Sequence, residues 1–103
     1  MKIVWSKKAE HKLDIYLSYC RDNYGDKVTS DKIEKLTKVT KRLINFSEMG
    51  FPEPILAGER HLYRAIIFEK RLKIIYYVEN DDVIKIADLW DSKRSPENLK
   101  KEI

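Results

Sequence analysis

Two stretches in the first half of the chain repeat apolar residues at helical spacing. From Lys7 to about Tyr24 the repeat consists of Ala9, Leu13, Tyr16, Leu17, Cys20 and Tyr24. A second repeat begins within residues 26–31 and runs to about Phe46, with Ile33, Leu36, Val39, Thr40, Leu43 and Ile44 on one stripe. Such intervals of three and four residues are typical of amphipathic helices. Because Gly25 separates the repeats, we predict two antiparallel helices joined by a short turn.

The second half of the chain predicts β-structure. Its apolar residues form short runs bounded by turn-forming residues, and we predict strands at Arg60–Phe68, Arg71–Glu79 and Val83–Asp91. A further short strand, Met1–Trp5, precedes the first helix, and Ser6 is the predicted N-cap of that helix.

The remaining segments are a loop and a short helix. Ser47–Gly58 contains two prolines and two glycines, so we expect a loop without regular structure. Ser95 as N-cap and Pro96 as first helical residue predict a short helix at the end of the chain. The sequence therefore predicts a single domain, residues 1–103, with an α+β fold. In this fold an antiparallel twisted sheet packs on an αα-hairpin, in the order β-α-α-β-β-β-α.

The turn after Phe68 determines which side chains share a face of the sheet. With Glu69 and Lys70 as a two-residue loop, Arg64 pairs with Ile75 and Ile66 pairs with Lys73. One face then carries no charge and should receive the helices: Tyr63, Ala65, Ile67, Leu72, Ile74, Tyr76 and Val78. The other face mixes cations with apolar side chains: Leu62, Arg64, Ile66, Phe68, Arg71, Lys73, Ile75 and Tyr77. Such a mixture is typical of a binding surface.

Composition bounds the class of protein. The chain has 103 residues, 43% of them apolar, with 21 Lys and Arg against 17 Asp and Glu. This size allows one core and a surface site but not an enclosed cofactor fold. No apolar run approaches the roughly 20 residues that span a bilayer, no signal peptide is evident, and Cys20 alone cannot form an internal disulfide. We therefore expect a cytoplasmic protein that does not enter a membrane.

The sequence shows no pattern of residues typical of a metal or cofactor site. His11, His61 and Cys20 do not form a cluster with metal-ligand spacing. The three glycines stand apart from one another and do not form a phosphate-binding loop. We therefore expect neither a metal nor a cofactor.

Cations are concentrated around the predicted hairpin. They are Arg60, Arg64, Lys70, Arg71 and Lys73, with Lys93 and Arg94 following at the end of the adjacent strand. Cations interleaved with aromatic residues can bind phosphates and stack bases, and they can stabilise the charge that develops in phosphoryl transfer. The alternative is that Arg64 and Lys73 form ordinary ion pairs with Asp88, Asp91 or Glu69 on the sheet surface.

The sequence resembles the RelE/ParE family of toxins from bacterial type II toxin–antitoxin modules. The resemblance rests on the order of the elements, on Leu62-Tyr63-Arg64 with the run Arg71–Val78, and on the segment Ile86–Glu97. It implies one of two activities. RelE-like members cleave mRNA in the ribosomal A site with basic side chains, whereas ParE-like members inhibit DNA gyrase and are not nucleases. In both cases a co-expressed antitoxin neutralises the toxin.

The resemblance also implies roles for particular residues. Arg64, Lys73 and Arg94 match basic residues of the ribonucleases and are the expected catalytic residues of metal-free mRNA cleavage. Arg60, Lys70, Arg71 and Lys93 are the expected RNA contacts. Ile66 replaces a second basic residue, and Leu99-Lys100 stand where some ribonucleases have a tyrosine, so no general base is evident. His61 is a candidate base, although the predicted pairing places it with the helix-packed set. Two alternatives remain: a non-enzymatic gyrase inhibitor and an inactive antitoxin-binding module.

The expected partner is an antitoxin, a small acidic protein encoded by an adjacent gene. An amphipathic acidic helix of that protein would cover the apolar side chains of the mixed face, which are Leu62, Ile66, Phe68, Ile75 and Tyr77. The target of the toxin is then either the ribosome with its mRNA or DNA gyrase.

Overall fold

The strands of the chain form one five-stranded sheet in the order β1-β5-β4-β3-β2. The computed structural model describes all residues, 1–103. Its elements are β1 (Lys2–Trp5), α1 (Lys7–Asn45), β2 (Phe51–Pro52), a 3-10 helix (Pro54–Leu56), β3 (Arg64–Glu69), β4 (Leu72–Asn80), β5 (Val83–Asp91) and α2 (Pro96–Glu102). β1 runs parallel to β5, and the other neighbours are antiparallel. The predicted α+β class is confirmed, with a mixed sheet in place of a wholly antiparallel one.

The long helix α1 is broken at Gly25. This residue has φ 86° and ψ 175°, a left-handed backbone conformation that favours glycine. A straight helix of 39 residues would measure about 58 Å, which exceeds the longest dimension of the molecule, 40 Å. The chain therefore reverses at Gly25, as the sequence predicts, and forms a first arm (residues 7–24) and a second arm (residues 26–45). Ser6 is the N-cap and accepts a hydrogen bond from the Ala9 amide.

Both faces of the sheet are covered. The arms pack on one face around a core of Ala9, Leu36, Leu43, Phe68, Ile74, Tyr76, Ile84, Ile86 and Leu89. The opposite face carries a second cluster, in which α2 and the 3-10 helix supply Leu99 and Leu56 against Tyr63, Ala65, Ile75 and Trp90. Much of the face that was expected to be open is therefore filled, because α2 folds back onto it.

The pairing of β3 with β4 differs from the prediction by one residue. Glu69 pairs with Leu72 and Ile67 pairs with Lys73, so the turn is formed by residues 70–71 and β3 carries an irregularity between Ile67 and Glu69. Phe68 lies in this irregularity, is 2% exposed, and meets the Tyr16 ring edge-to-face at 6.2 Å. Since side chains alternate along a strand, the shift reverses the predicted faces of β3 but leaves Leu72, Ile74 and Tyr76 of β4 on the helix side, as predicted.

The crossover from the second arm to β3 is more regular than expected. Phe51–Pro52 forms β2, which pairs with Arg64 and Ala65 at the edge of the sheet. Proline is tolerated there because an edge strand has amides that need no partner in the sheet. β3 begins at Arg64 and not at Arg60, so the preceding residues form a separate approach to the sheet. None of the helices combines the length and the hydrophobicity needed to cross a membrane.

Candidate functional site

Arg64 lies on the face of β3 that points toward the arms. It is paired with Tyr76 across the sheet, and its guanidinium Nη1 donates a hydrogen bond to the carbonyl oxygen of Gly50 at 2.8 Å. A charged donor on a backbone carbonyl forms one of the stronger hydrogen bonds in proteins. Arg64 therefore fastens the crossover segment to the sheet.

Lys73 lies on the opposite face of the sheet from Arg64. It pairs with Ile67, and its ammonium group lies 3.2 Å from the carboxylate of Glu53, a residue that is only 6% exposed. The ammonium group is also 5.6 Å from the centre of the Phe51 ring. Because a buried carboxylate needs a counter-charge, Lys73 supplies the charge that makes burial of Glu53 possible.

Arg94 follows β5 and is held by α2. Its guanidinium group makes two hydrogen bonds with the Glu102 carboxylate, at 2.5 and 3.3 Å, and lies 4.5 Å from the centre of the Trp90 ring. The hydrogen bond from Arg94 holds the pKa of Glu102 below its usual value. Arg94 thus anchors α2 to the end of β5.

The same end of α2 meets a buried carboxylate of the sheet. Asp88 is fully buried, and its two oxygens lie 2.9 Å from the ammonium group of Lys12 and 3.5 Å from that of Lys8. Neither oxygen accepts a hydrogen bond of good geometry, so charge attraction alone balances this carboxylate. Lys12 also reaches Glu102 at 3.4 Å, which links the first arm, β5 and α2 in one ionic network.

The three predicted catalytic residues are therefore not brought together. Arg64 and Lys73 lie on opposite faces of the sheet, and Arg94 belongs to the network around α2. Each has a carboxylate or carbonyl partner within the chain. The expectation that Arg64 and Lys73 share a face is wrong, because it depended on the pairing that the irregularity at Phe68 shifts.

The four predicted RNA contacts are exposed and widely placed. Lys70 and Arg71 form the turn between β3 and β4, Arg60 precedes β3, and Lys93 lies between β5 and α2. None of them takes part in an ion pair within the chain. Their charges are available to a partner, and their role in binding RNA stays a prediction.

The five predicted antitoxin contacts do not form one open surface. Phe68 is 2% exposed within the core under the arms, and Ile75 is fully buried beneath α2. Ile66 and Tyr77 are partly buried, on opposite faces of the sheet. Leu62 alone is largely exposed, at 68%. The prediction of a single mixed face is wrong for the same reason as before, together with the covering of one face by α2.

A groove that sequence reasoning missed lies between the first arm and the β3–β4 turn. Two adjoining cavities, of about 370 and 460 Å³, share the lining residues Tyr16, Tyr19, Arg71 and Leu72. We call this surface the tyrosine groove. Ile15, Tyr19 and Tyr24 along it are 57%, 55% and 59% exposed. A signal was present in the sequence, since Ile15 and Tyr19 lie beside the apolar stripe of the first helix and not on it.

Several charged side chains surround the tyrosine groove. Its lining includes the cations Lys12, Lys32, Lys70, Arg71 and Arg94, against the two carboxylates Glu69 and Asp91. Glu69 is moreover bound to Lys32 at 2.9 Å. Burial raises the pKa of Tyr16. Lys12 and Arg94 are bonded to Asp88 and Glu102, so Lys70 and Arg71 are the lining cations without a carboxylate partner. The groove therefore presents aromatic surface beside two unpaired cations.

Three aromatic side chains meet on the face of the sheet opposite the arms. The His61 ring stacks on Tyr77, with centroids 3.8 Å apart and planes 9° apart, and Tyr63 meets both rings edge-on. We call these residues the aromatic cluster. His61 therefore does not lie with the helix-packed set as expected, because it precedes the first residue of β3 and is placed by its stack on Tyr77. No group of three or more potential metal ligands lies together.

Comparison with known proteins finds one matching family and similar solved structures. A family model described as the ParE toxin of the type II toxin–antitoxin system parDE matches residues 3–96. No curated protein sequence matches the chain. A structure of the chromosomal ParDE TA system from P. aeruginosa is similar with a TM-score of 0.69 at 18% identity, over 88% of this chain and 95% of that chain. A YoeB/ParE toxin from Agrobacterium tumefaciens is similar with a TM-score of 0.62 at 15% identity, over 88% and 98%.

Proposed function

Because this chain belongs to the ParE toxin family of type II toxin–antitoxin systems, we propose that it blocks growth as a non-enzymatic inhibitor of DNA gyrase. Membership of the family implies a cognate antitoxin. Beyond family membership, we propose the target, the surface that is used and the absence of a nuclease step. Gyrase acts on DNA inside the cell, so the proposed site of action is the cytoplasm.

The separation of Arg64, Lys73 and Arg94 is the observation that favours gyrase inhibition over RNA cleavage. Metal-free RNA cleavage needs cations that converge on one phosphate to stabilise its developing charge. Here the three side chains are distributed over two faces and one helix end, and each is bonded within the chain. If Lys73 turned away to bind RNA, the buried carboxylate of Glu53 would lose its counter-charge. These observations favour inhibition by protein contact over phosphate chemistry.

We propose that the antitoxin binds in the tyrosine groove. Exposed aromatic and aliphatic side chains along a groove suit the apolar face of an amphipathic helix. Lys70 and Arg71, which line it without a carboxylate partner, favour an acidic partner. The groove runs along the first arm of the helical hairpin, and we propose that this hairpin contacts gyrase together with the C-terminal segment. An antitoxin helix in the groove would therefore mask the surface that inhibits gyrase.

Two assays on the same chain distinguish the activities. Purified chain is added to purified gyrase and relaxed plasmid, and mRNA from cells expressing the chain is mapped by primer extension. We expect supercoiling to be lost while transcripts stay intact. Cleavage within codons together with normal supercoiling would refute gyrase inhibition and restore the ribonuclease hypothesis. If neither effect is seen and the chain still binds its antitoxin, the chain is an inactive antitoxin-binding module.

A charge reversal and an aromatic truncation test the proposed antitoxin surface. Arg71→Glu places a carboxylate in the shared part of the tyrosine groove, and Tyr19→Ala removes an exposed ring from it. Each should weaken binding of the acidic product of the adjacent gene about tenfold or more, since central aromatic and arginine contacts dominate such interfaces. Lys41→Glu, an exposed position on the second arm, is the matched control. Equal affinity of all three variants, measured by calorimetry, would place the antitoxin elsewhere.

A further inference from the structure

A further cavity lies at the start of the first arm, away from the tyrosine groove. It has a volume of about 180 Å³ and shares no lining residue with the groove. Its polar lining comes from four parts of the chain: Ser6 and Lys8, Arg60 and Tyr63, Tyr77, and Lys85. Ala87 and Ile103 complete the wall. No carboxylate side chain is among the lining residues, and their polar groups are three cations and three hydroxyl groups.

Two of the cations at this cavity have no partner within the chain. Neither Arg60 nor Lys85 forms an ion pair or donates a side-chain hydrogen bond, whereas Lys8 is held by Glu102 and Asp88. Lys85 lies directly opposite Tyr77 across the β4–β5 pair, so the two side chains share a face. Because Arg60 and Lys85 form no ion pair, both charges are available to an anion at the cavity.

Aromatic surface adjoins these cations. Tyr63 and Tyr77 line the cavity, and both touch His61 in the aromatic cluster. The stack of His61 on Tyr77 fixes these rings beside the cavity. Stacking on an aromatic side chain is worth on the order of one hydrogen bond or more for a nucleic-acid base.

We propose that this cavity binds the phosphate group of a nucleotide, with the base against the His61–Tyr77 pair. Arg60 and Lys85 donate to the phosphate oxygens, and the hydroxyl groups of Tyr63 and Tyr77 complete the ring of donors. The phosphate can belong to a free nucleotide or to a single RNA strand, since both offer the same group beside a base. The proposal goes beyond gyrase inhibition, because the cavity lies outside the tyrosine groove.

Titration of the full chain tests the site. The probes are AMP, adenosine, inorganic phosphate and a single-stranded tetraribonucleotide, followed by calorimetry and by the backbone amide signals of Tyr77 and Lys85. We expect AMP to bind at least tenfold more tightly than adenosine. The double variant Arg60→Gln with Lys85→Gln should weaken AMP about tenfold or more, and Lys41→Gln should leave it unchanged. His61→Ala should weaken AMP but not inorganic phosphate.

Each outcome decides the proposal. Binding of AMP alone identifies a free nucleotide as the source of the phosphate, and tighter binding of the RNA identifies a strand; both support the site. Equal affinities of AMP and adenosine, or equal affinities of the double variant and Lys41→Gln, would overturn it. Arg60 is exposed and Lys85 is partly buried without a partner, so the double variant should fold. The amide spectrum checks this directly.

Discussion

The contact between Gly50 and Tyr76 gives the sharpest prediction about stability. Tyr76 is fully buried; its hydroxyl donates to the Ser47 carbonyl at 2.7 Å and accepts from the Gly50 amide at 3.0 Å. A Cβ atom at position 50 would lie 2.7 Å from this hydroxyl oxygen, 2.8 Å from Cε1 of the ring and 2.8 Å from the carbonyl oxygen of Ala65. Such distances are below van der Waals contact. Gly50→Ala must therefore displace a core ring or the backbone of β3.

The expected cost follows from two contributions. Overpacking of a core costs about 1–3 kcal/mol, and disturbing the hydrogen bonds of the buried hydroxyl adds about 1 kcal/mol. Gly50→Ala should thus lower the free energy of unfolding by about 2–4 kcal/mol. For a domain of this size, each kcal/mol lowers the melting temperature by about 4–8 °C. Urea denaturation and thermal melting followed by circular dichroism measure both quantities.

Gly58→Ala is the matched control. Gly58 has φ 83° and open space around its Cβ position, so alanine there meets backbone strain without a clash. The expected cost is about 1–2 kcal/mol. In a Tyr76→Phe background, the penalty of Gly50→Ala should shrink but persist, because only the contact with the hydroxyl is removed. A Gly50→Ala variant no less stable than Gly58→Ala would refute the steric argument.

Charge and backbone conformation give three further expectations. Lys12→Met should cost about 3 kcal/mol in urea denaturation, since it leaves the Asp88 carboxylate buried beside a single ammonium group; Asp88→Asn should cost less, because the partly exposed lysines are hydrated again. The opposite ranking would contradict the network. Burial raises the pKa of Glu69, but two lysines of the second arm outweigh it and hold the pKa below its usual 4.5. The stabilisation by this carboxylate is therefore complete above the unfolded-state pKa and is lost as the pH falls through the lower folded-state value. Melting temperatures of Glu69→Gln should fall less steeply with acid than those of the parent, and parallel curves would exclude the effect. Gly25→Ala should cost about 1–2 kcal/mol through its positive φ, and an unchanged melting temperature would contradict the break at this position.

The helical half of the fold follows from local signals. The apolar repeats and the interruption at Gly25 act within a few residues of themselves, so the hairpin and its reversal are predicted correctly. The N-cap at Ser6 is equally local. No contact from elsewhere in the chain is needed to recognise them.

The faces of β3 depend on a contact that the local sequence does not contain. Moving the turn by one residue exchanges the two faces of a strand. Phe68 enters the core against Tyr16, 52 residues earlier in the chain, and this packing accompanies the irregularity that moves the turn. The predicted grouping of Arg64, Lys73 and Arg94 depends on distant contacts in the same way. Glu53 and Glu102, which engage Lys73 and Arg94, come from segments whose position depends on the finished fold.

The parallel pairing of β1 with β5 determines when the sheet can be completed during synthesis. Lys2 lies opposite Val83, so the first strand waits for nearly the last one before its hydrogen bonds form. Pairings between such distant segments form late, because loop closure must precede them. Both arms leave the ribosome with their apolar stripes uncovered until β4 and β5 have emerged. A translation product that stops before β5 therefore still has β2, β3 and β4 but lacks the strand with which β1 pairs.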